Sequence, residues 1–251
     1  MLDSRSRSKF SFFIAALLAA ASVTFAADVP WRDKPYDKWD ASDIQRILTD
    51  SPWVQITTIQ RNWLPISGKD TAPPQELSGG NPKFPGAAGN PNAADSREAE
   101  TSVRQLNVYV FWGSSRVMRA ALARQAVLHG SMEEADVEKQ ASAAQPEYEI
   151  VLQMADMTPF VRSDEKSFQD KAFLQMKKGK LKLPASRVTY HRDSSGRVGA
   201  VVFFFPKQTS EGAPSVSPEE TDVQFNCRIA DTTLRVDFKP AKMQDSQGRD
   251  L

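Results

Sequence analysis

The chain has 251 residues, of which 40% are hydrophobic, 25% charged and 9% aromatic. These ordinary globular proportions exclude a fully disordered, collagen-like or coiled-coil chain, and the length suggests one or two domains. The 32 Lys and Arg residues against 31 Asp and Glu give a net charge of +1, so overall charge predicts no nucleic-acid partner. The single cysteine excludes an internal disulfide framework and a multi-cysteine metal site, and two histidines leave little material for a histidine-rich active site.

The first 26 residues have the layout of a secretory signal peptide. Three basic residues precede an apolar run over residues 10–25, and small residues cluster at the end of that run. The pattern predicts export and cleavage near Ala26. The alternative is an uncleaved membrane anchor, but this run has 16 residues and a spanning helix needs about 20. We therefore expect a periplasmic or secreted protein, without a transmembrane helix in a mature chain whose net charge is −1.

Residues 27–64 form a tryptophan-rich segment, which holds four of the five tryptophans, at positions 31, 39, 53 and 63. Asp40 or Ser42 is placed to cap a short helix that Pro52 ends, and residues 53–63 have the composition of a strand. One interpretation of the tryptophans is an aromatic platform for a sugar or a peptide. We favour burial against the body of the protein, because aromatic rings mostly supply buried area.

Residues 65–95 differ in composition from the segments on either side. Eleven of these 31 residues are proline or glycine, and apolar periodicity is nearly absent. Such a stretch cannot bury enough apolar surface to offset the entropy lost on ordering. The composition predicts a flexible loop or linker before a globular body over residues 96–251.

The first half of the body alternates between strand and helix patterns. Strands are predicted over residues 103–112 and 149–154, and a helix follows the first of them and ends near residue 129. Ser131 and Glu134 have the spacing of a capping box for an acidic helix. A third helix is predicted from Ser163 to Gly179, with its apolar residues at positions 168, 172 and 176.

The last third of the body predicts two β-hairpins. Residues 187–191 and 198–205 flank a turn sequence, and residues 223–229 and 234–238 alternate apolar and polar side chains around a second turn. Neighbouring strands that pair, with helices grouped before them, predict an α+β fold. We expect a mixed or mainly antiparallel sheet of about 6–7 strands with about 3–4 helices and C-terminal β-hairpins.

The residues that could carry nucleophilic or metal chemistry are few, and each has a structural explanation. Cys227 lies at an inward position of a predicted strand, which is typical of a small buried side chain. His129 lies at a helix C-terminus, where a cation is favourable. The acidic run over residues 133–138 is typical of a solvated helix turn. We predict no catalytic residue, no metal and no other cofactor.

One junction between a strand and a helix is a candidate ligand site. Gly113, Ser114, Ser115 and Arg116 lead from the predicted strand into the helix, and Arg119 follows one turn later. We expect the backbone N–H groups at this helix N-terminus to be unpaired, and together with two hydroxyls and an arginine such groups can bind an anion. Capping by the serines accounts for the same residues. The hypothesis we keep is an anion or ligand site, with an envelope protein or an acidic ligand as the partner.

Residues 50–53, 112–122 and 238–251 resemble a family of exported, uncharacterised bacterial proteins of similar length. The resemblance extends along most of the mature chain. It implies export, but no activity is assigned to that family and no functional residue is carried over from it.

Two hypotheses on function follow. The first is a non-enzymatic envelope or secreted protein that binds a protein or an envelope component. The alternative is a hydrolase that acts on an envelope polymer through carboxylates such as Asp156, Asp164 or Glu165. Paired carboxylates can do such work when they face each other at a suitable separation. A concave pocket that holds two of them would favour the enzyme.

Overall fold

A computed structural model describes residues 29–63, 105–193 and 196–251 of the protein. The predicted signal peptide, the proline- and glycine-rich segment and residues 194–195 of the first hairpin turn lie outside the described residues. The predicted domain boundaries, which fall at residues 26, 64 and 95, stay predictions.

Six α-helices and one 3-10 helix form among the described residues. The α-helices are α1 (Pro30–Asp33), α2 (Ala41–Asp50), α3 (Arg116–Leu128), α4 (Glu134–Ser142), α5 (Thr158–Val161) and α6 (Glu165–Gln169), and the 3-10 helix is Tyr36–Lys38. Asp40 caps α2 as predicted, since its carboxylate accepts the N–H groups of Ser42 and Asp43. In these ranges no helix is long and apolar enough to cross a membrane.

The same ranges form eleven strands. They are β1 (Val54–Gln60), β2 (Gln105–Trp112), β3 (Glu147–Met154), β4 (Ala172–Met176), β5 (Lys182–Pro184), β6 (Arg187–Arg192), β7 (Val198–Pro206), β8 (Val223–Ile229), β9 (Thr232–Phe238), β10 (Gln244–Asp245) and β11 (Gly248–Arg249). A five-stranded sheet has the order β1-β2-β3-β7-β6, a four-stranded sheet has the order β5-β4-β8-β9, and β10 pairs with β11.

All strand pairings within the described ranges are antiparallel. The α+β class with mainly antiparallel sheets is confirmed, and both C-terminal hairpins, β6–β7 and β8–β9, form as predicted. The predicted numbers of strands and helices are too low. The single predicted sheet is also wrong, because the strands divide between two large sheets and a short β-ribbon.

The two large sheets share one core. Trp112, Ile150 and Phe203 lie side by side on one face of the five-stranded sheet, because β2 pairs Trp112 with Ile150 and β3 pairs Ile150 with Phe203. From this face the ring of Phe203 packs against Phe225 of β8 at 5.1 Å, and the ring of Trp112 packs edge-on against Phe238 of β9 at 5.3 Å. All five side chains are fully buried.

The predicted helix from Ser163 to Gly179 is wrong. Only α6 forms there, with Asp164 instead of Ser163 as its cap, and Ala172–Met176 is strand β4. Positions 168, 172 and 176 fit a helical period, but residues 172, 174 and 176 also fit the period of a strand. The partner strand decides between the two, because β4 pairs with β8 along its whole length.

The predicted capping box of the acidic helix is also wrong. Helix α4 has Glu133 at its N-cap, without a side-chain hydrogen bond. The Ser131 hydroxyl donates to the carbonyl of Ala126, near the end of α3. Ser131 and Glu134 have the right spacing for a capping box, but Ser131 forms its hydrogen bond with the preceding helix instead.

Candidate functional site

The predicted junction connects β2 to α3 through a turn that lies very close to β3. The N–H of Gly113 donates to the carbonyl of Glu149 at 2.7 Å. A Cβ atom added at Gly113 would lie 2.9 Å from Cγ2 of Val151, so this approach requires glycine. Ser114 is buried, and its hydroxyl has no hydrogen-bond partner among the described residues.

The N-terminus of α3 already binds a carboxylate, that of Asp250. Its two oxygens accept the N–H groups of Arg116 at 2.8 Å and Val117 at 3.0 Å. The hydroxyl of Ser115 accepts the N–H of Met118 at 3.1 Å, as the capping interpretation predicts. Our expectation that these N–H groups are unpaired is therefore wrong. Binding of an external anion at this junction stays a prediction, and such a ligand would have to displace Asp250.

The two arginines of the junction engage different parts of the chain. Arg116 forms a bidentate ion pair with Asp245, with its Nη2 atom 2.8 Å from Oδ2. Arg119 donates from Nη1 to the carbonyls of Gln140 at 2.9 Å and Ala143 at 2.6 Å, at the end of α4. Burial lowers the pKa of the Arg119 guanidinium. Both arginines therefore hold the fold together at this corner.

The three carboxylates of the hydrolase hypothesis are each bound to the chain. Asp156 accepts hydrogen bonds from Trp63 Nε1 and the Thr158 N–H. Asp164 accepts the N–H of Ser167, and Glu165 accepts the N–H of Tyr190. The bonds to Ser167 lower the pKa of Asp164, which is opposite to the rise that a general acid needs at neutral pH. None of the three carboxylates lines either of the two cavities described next.

A cavity of about 440 Å³ lies where the N-terminal aromatic segment meets α3, α4 and the β10–β11 ribbon. That volume is within the usual range of small-molecule sites. Three aromatic residues, Trp31, Tyr36 and Trp39, contribute to its wall. The apolar part of the wall is completed by Val117, Ala120 and Ala141, and exposed polar residues at the cavity are Ser142, Ser246 and Gln247.

Trp31 differs from the other three tryptophans of the N-terminal segment in its hydrogen bonding. The indole N–H of Trp39 donates to the carbonyls of Pro30 and Lys34. The indole N–H of Trp53 donates to the carbonyl of Asp250, and that of Trp63 donates to the carboxylate of Asp156. Trp31 is 8% exposed, and its Nε1 has no partner in the part of the chain that is described. A buried donor without an acceptor is costly, and this one belongs to a residue of the cavity wall.

The cavity wall carries charges of both signs. Lys34 and Arg116 are its cations, and Glu138 and Asp245 are its anions. Each cation is already paired, Lys34 with Asp43 at 3.0 Å and Arg116 with Asp245 at 2.8 Å. Because Lys34 pairs with Asp43, which does not line the cavity, the exposed carboxylate of Glu138 is not matched by either cation of the wall.

A second cavity of about 210 Å³ lies beside Trp63, α5 and α6, and includes Phe168, Arg162 and Lys171. Arg162 and Lys171 are exposed. None of the residues that line this smaller cavity has a buried polar atom without a partner. It therefore lacks the feature that distinguishes the larger cavity.

Of the five predicted site residues, only Arg116 lines the larger cavity. Gly113, Ser114, Ser115 and Arg119 build the junction behind it. The sequence interpretation of the tryptophans as buried fits Trp31, Trp39 and Trp53. Trp31 and Trp39 also line the cavity, but at 8% and 4% exposed they offer a ligand little ring surface. In the sequence, the tryptophan cluster was the signal that pointed toward this cavity. The residues around Asp245 carried no such signal.

Cys227 lies within β8, and His129 is the C-cap residue of α3. Cys227 is fully buried on β8 as predicted, and burial raises the pKa of its thiol. The Nδ1 atom of His129 lies 2.7 Å from the carbonyl of Gln125, one turn back in α3. Across the described ranges, no group of three or more His, Cys, Asp or Glu residues is placed to hold a metal ion.

Comparison with known proteins found no family model, curated protein or solved structure that is significantly similar to this chain.

Proposed function

We propose that the protein is an exported, non-enzymatic binding protein whose ligand, a component of the cell envelope, occupies the 440 Å³ cavity. The observation that carries the proposal is the cavity itself, which has the volume of a small-molecule site and a wall that includes the half-buried ring of Tyr36 beside Trp31 and Trp39.

The character of the wall supports binding over catalysis. Ligand sites are mostly apolar and aromatic, with a few placed polar groups that set orientation, and this cavity has three aromatic residues beside one ion pair. A hydrolase needs an acid and a base that converge on one bond. The three candidate carboxylates instead stabilise the chain around them.

Export is the second part of the proposal, and N-terminal sequencing tests it. We expect protein recovered from the periplasm or the medium to begin within a residue or two of Ala27, because the apolar run and small residues precede that point. Intact Met1 on soluble protein inside the cell would contradict export.

Co-sedimentation with an isolated bacterial envelope fraction tests the binding site. Ser142→Trp places a large ring at the cavity from an exposed position, whereas Ala135→Trp adds the same ring to an exposed position of α4 outside the cavity. We expect Ser142→Trp to reduce the bound fraction at least tenfold and Ala135→Trp to leave it unchanged. Equal binding by both variants and the original protein would exclude the cavity as the site.

A further inference from the structure

The β4–β5 hairpin concentrates positive charge on a surface away from the cavity. Residues 177–182, which form the connection and the first residue of β5, contain four lysines and no acidic residue. They belong to a mature chain whose net charge is −1. We propose that this hairpin binds the surface of a membrane that contains anionic phospholipids. The inference goes beyond the proposed function, because it concerns a different surface and a different partner.

Most of the positive charge of the hairpin is not neutralised by the protein. Lys177 pairs with the carboxylate of Asp237 at 2.8 Å. The other three lysines are exposed and, within the described part of the chain, have no ion pair: Lys178, Lys180 and Lys182. Uncompensated lysines that are clustered on one surface attract an anionic membrane, although the protein as a whole is nearly neutral.

The turn that presents these lysines is held in place from inside the protein. The carboxylate of Glu220 is buried and accepts the backbone N–H groups of Lys178 and Gly179, each at 2.9 Å. The N–H of Met176 closes the hairpin on the carbonyl of Leu181, also at 2.9 Å. Because the turn is already ordered, little backbone entropy is lost when it binds a surface.

An exposed leucine between two of the lysines favours a membrane over other anionic partners. Leu181 is 37% exposed, and it is one of three large apolar side chains that are exposed among the described residues. The half-buried ring of Phe173 lies beside it in the hairpin, 3.8 Å from the ammonium of Lys182. At a membrane the lysines meet the headgroups while the leucine enters the acyl boundary. A nucleic acid would use the lysines but would leave Leu181 in water.

Protection of a sheet edge explains only part of this arrangement. Strand β5 lies at an edge of the four-stranded sheet, and lysines on edge strands prevent pairing between molecules. That accounts for Lys182, which belongs to β5. It does not account for Lys178, Lys180 and Leu181, which lie in the turn before the strand.

Sedimentation of the purified mature protein with phospholipid vesicles tests the inference. Vesicles of phosphatidylcholine and phosphatidylglycerol in equal parts are compared with vesicles of phosphatidylcholine alone. We expect binding to the anionic vesicles only, and loss of that binding in high salt, which screens the lysines. Replacing Lys178, Lys180 and Lys182 together by glutamine should weaken binding about a hundredfold, at about fivefold for each lysine. Leu181→Ser should weaken it about fivefold without changing its dependence on salt.

A second triple variant controls for net charge. Replacing Lys139, Lys166 and Lys242 by glutamine removes three exposed lysines from other parts of the surface, and this variant should bind like the original protein. The melting temperatures of both triple variants show that they are folded. Equal weakening by the two triple variants would overturn the inference, because overall charge would then explain the binding. It would also be overturned if the original protein bound a single-stranded oligonucleotide but not the anionic vesicles.

The hairpin and the cavity are tested independently. Ser142→Trp leaves the hairpin intact, so it should bind the anionic vesicles like the original protein. Because the hairpin could retain the protein on an envelope fraction, the co-sedimentation of the cavity variants is carried out in high salt, where the lysines contribute least. Failure of the vesicle experiment therefore overturns the role of the hairpin and leaves the proposed function of the cavity to its own test.

Discussion

Asp250 stabilises the start of α3 from a position more than 130 residues later in the chain. Its carboxylate accepts the N–H groups of Arg116 and Val117, and its own carbonyl accepts the indole N–H of Trp53 at 2.7 Å. A negative group at a helix N-terminus also interacts favourably with the helix dipole. Burial nevertheless raises the pKa of Asp250, against the opposing effect of its hydrogen bonds. One residue thus connects three separate segments.

Asp250→Ala should lower the free energy of unfolding by about 2 kcal/mol, because two N–H groups lose their acceptor inside the protein. Chemical denaturation measures the change. Asp231→Ala is the control, since the side chain of Asp231 is 83% exposed and such a change stays within about 0.5 kcal/mol. Equal stability of the two variants would show that the helix start does not depend on Asp250.

Glu149 gives the protein a stability that depends on pH. Burial raises the pKa of Glu149 above its ordinary value of 4.5, with Arg187 and Arg119 acting in the opposite direction. The ionised form is therefore disfavoured in the folded protein, so stability is lost as the pH rises through the folded-state pKa. Glu149→Gln removes that loss. We expect the variant to gain stability relative to the original protein between about pH 4 and pH 7.

Denaturation at several pH values checks this prediction, and the exposed Glu211 supplies the matched variant, Glu211→Gln. The difference in unfolding free energy should grow with pH for Glu149→Gln and stay flat for Glu211→Gln. A difference that shrinks as the pH rises would mean that the ionised carboxylate of Glu149 stabilises the fold.

At the level of elements, Arg119 joins two helices. Its side chain starts in the first turn of α3 and donates to carbonyls at the end of α4, where a helix leaves its last carbonyls without internal partners. A cation is also favourable at a helix C-terminus. This contact positions α4 beside the cavity, because Glu138, Ala141 and Ser142 belong to that helix.

Arg119→Met should cost about 1 to 2 kcal/mol of stability, since the carbonyls lose a charged donor while the buried stem of the side chain is kept. Hydrogen exchange should become faster in α4 before it does so in the sheets. Arg235→Met, on the exposed side of β9, should change neither quantity. Unchanged exchange in α4 would contradict the role given to Arg119.

The elements also show what the sequence could and could not predict. The hairpins β6–β7 and β8–β9 depend on local turns and alternation, so they follow from the sequence. The sequence does not show whether Ala172–Met176 is a helix or a strand, because its apolar spacing fits both. Pairing with β8, some 50 residues later in the chain, makes this segment a strand. Local propensity is a weak guide when a distant partner supplies the hydrogen bonds.

At the level of the whole molecule, the cavity depends on four segments that are distant in sequence. Its lining residues come from the segments 31–39, 116–120, 138–142 and 245–247. Arg116 is the one predicted site residue among the residues that line it. The acceptor for the α3 N-terminus could not be foreseen either, because the contact between Arg116 and Asp250 spans 134 residues. A sequence indicates which groups can bind an anion, but the fold determines that Asp250 occupies the position.

The antiparallel pairing of β1 with β2 makes one deletion predictable. Gln60 and Gln105 are directly paired across the two strands, so the 44 residues between them begin and end at neighbouring positions of the sheet. Deletion of residues 70–95 leaves 18 residues for the same connection. Closing a shorter connection costs less free energy, by roughly 0.6 kcal/mol for each halving of its length. The deleted stretch also has little apolar surface that it could bury. The free energy of unfolding of the deletion variant should therefore lie within about 1 kcal/mol of that of the original protein, with the variant the more stable of the two. A thermal melt with a denaturant titration measures this. A loss above about 2 kcal/mol exceeds any entropic effect of shortening, and it would mean that residues 70–95 pack against the body.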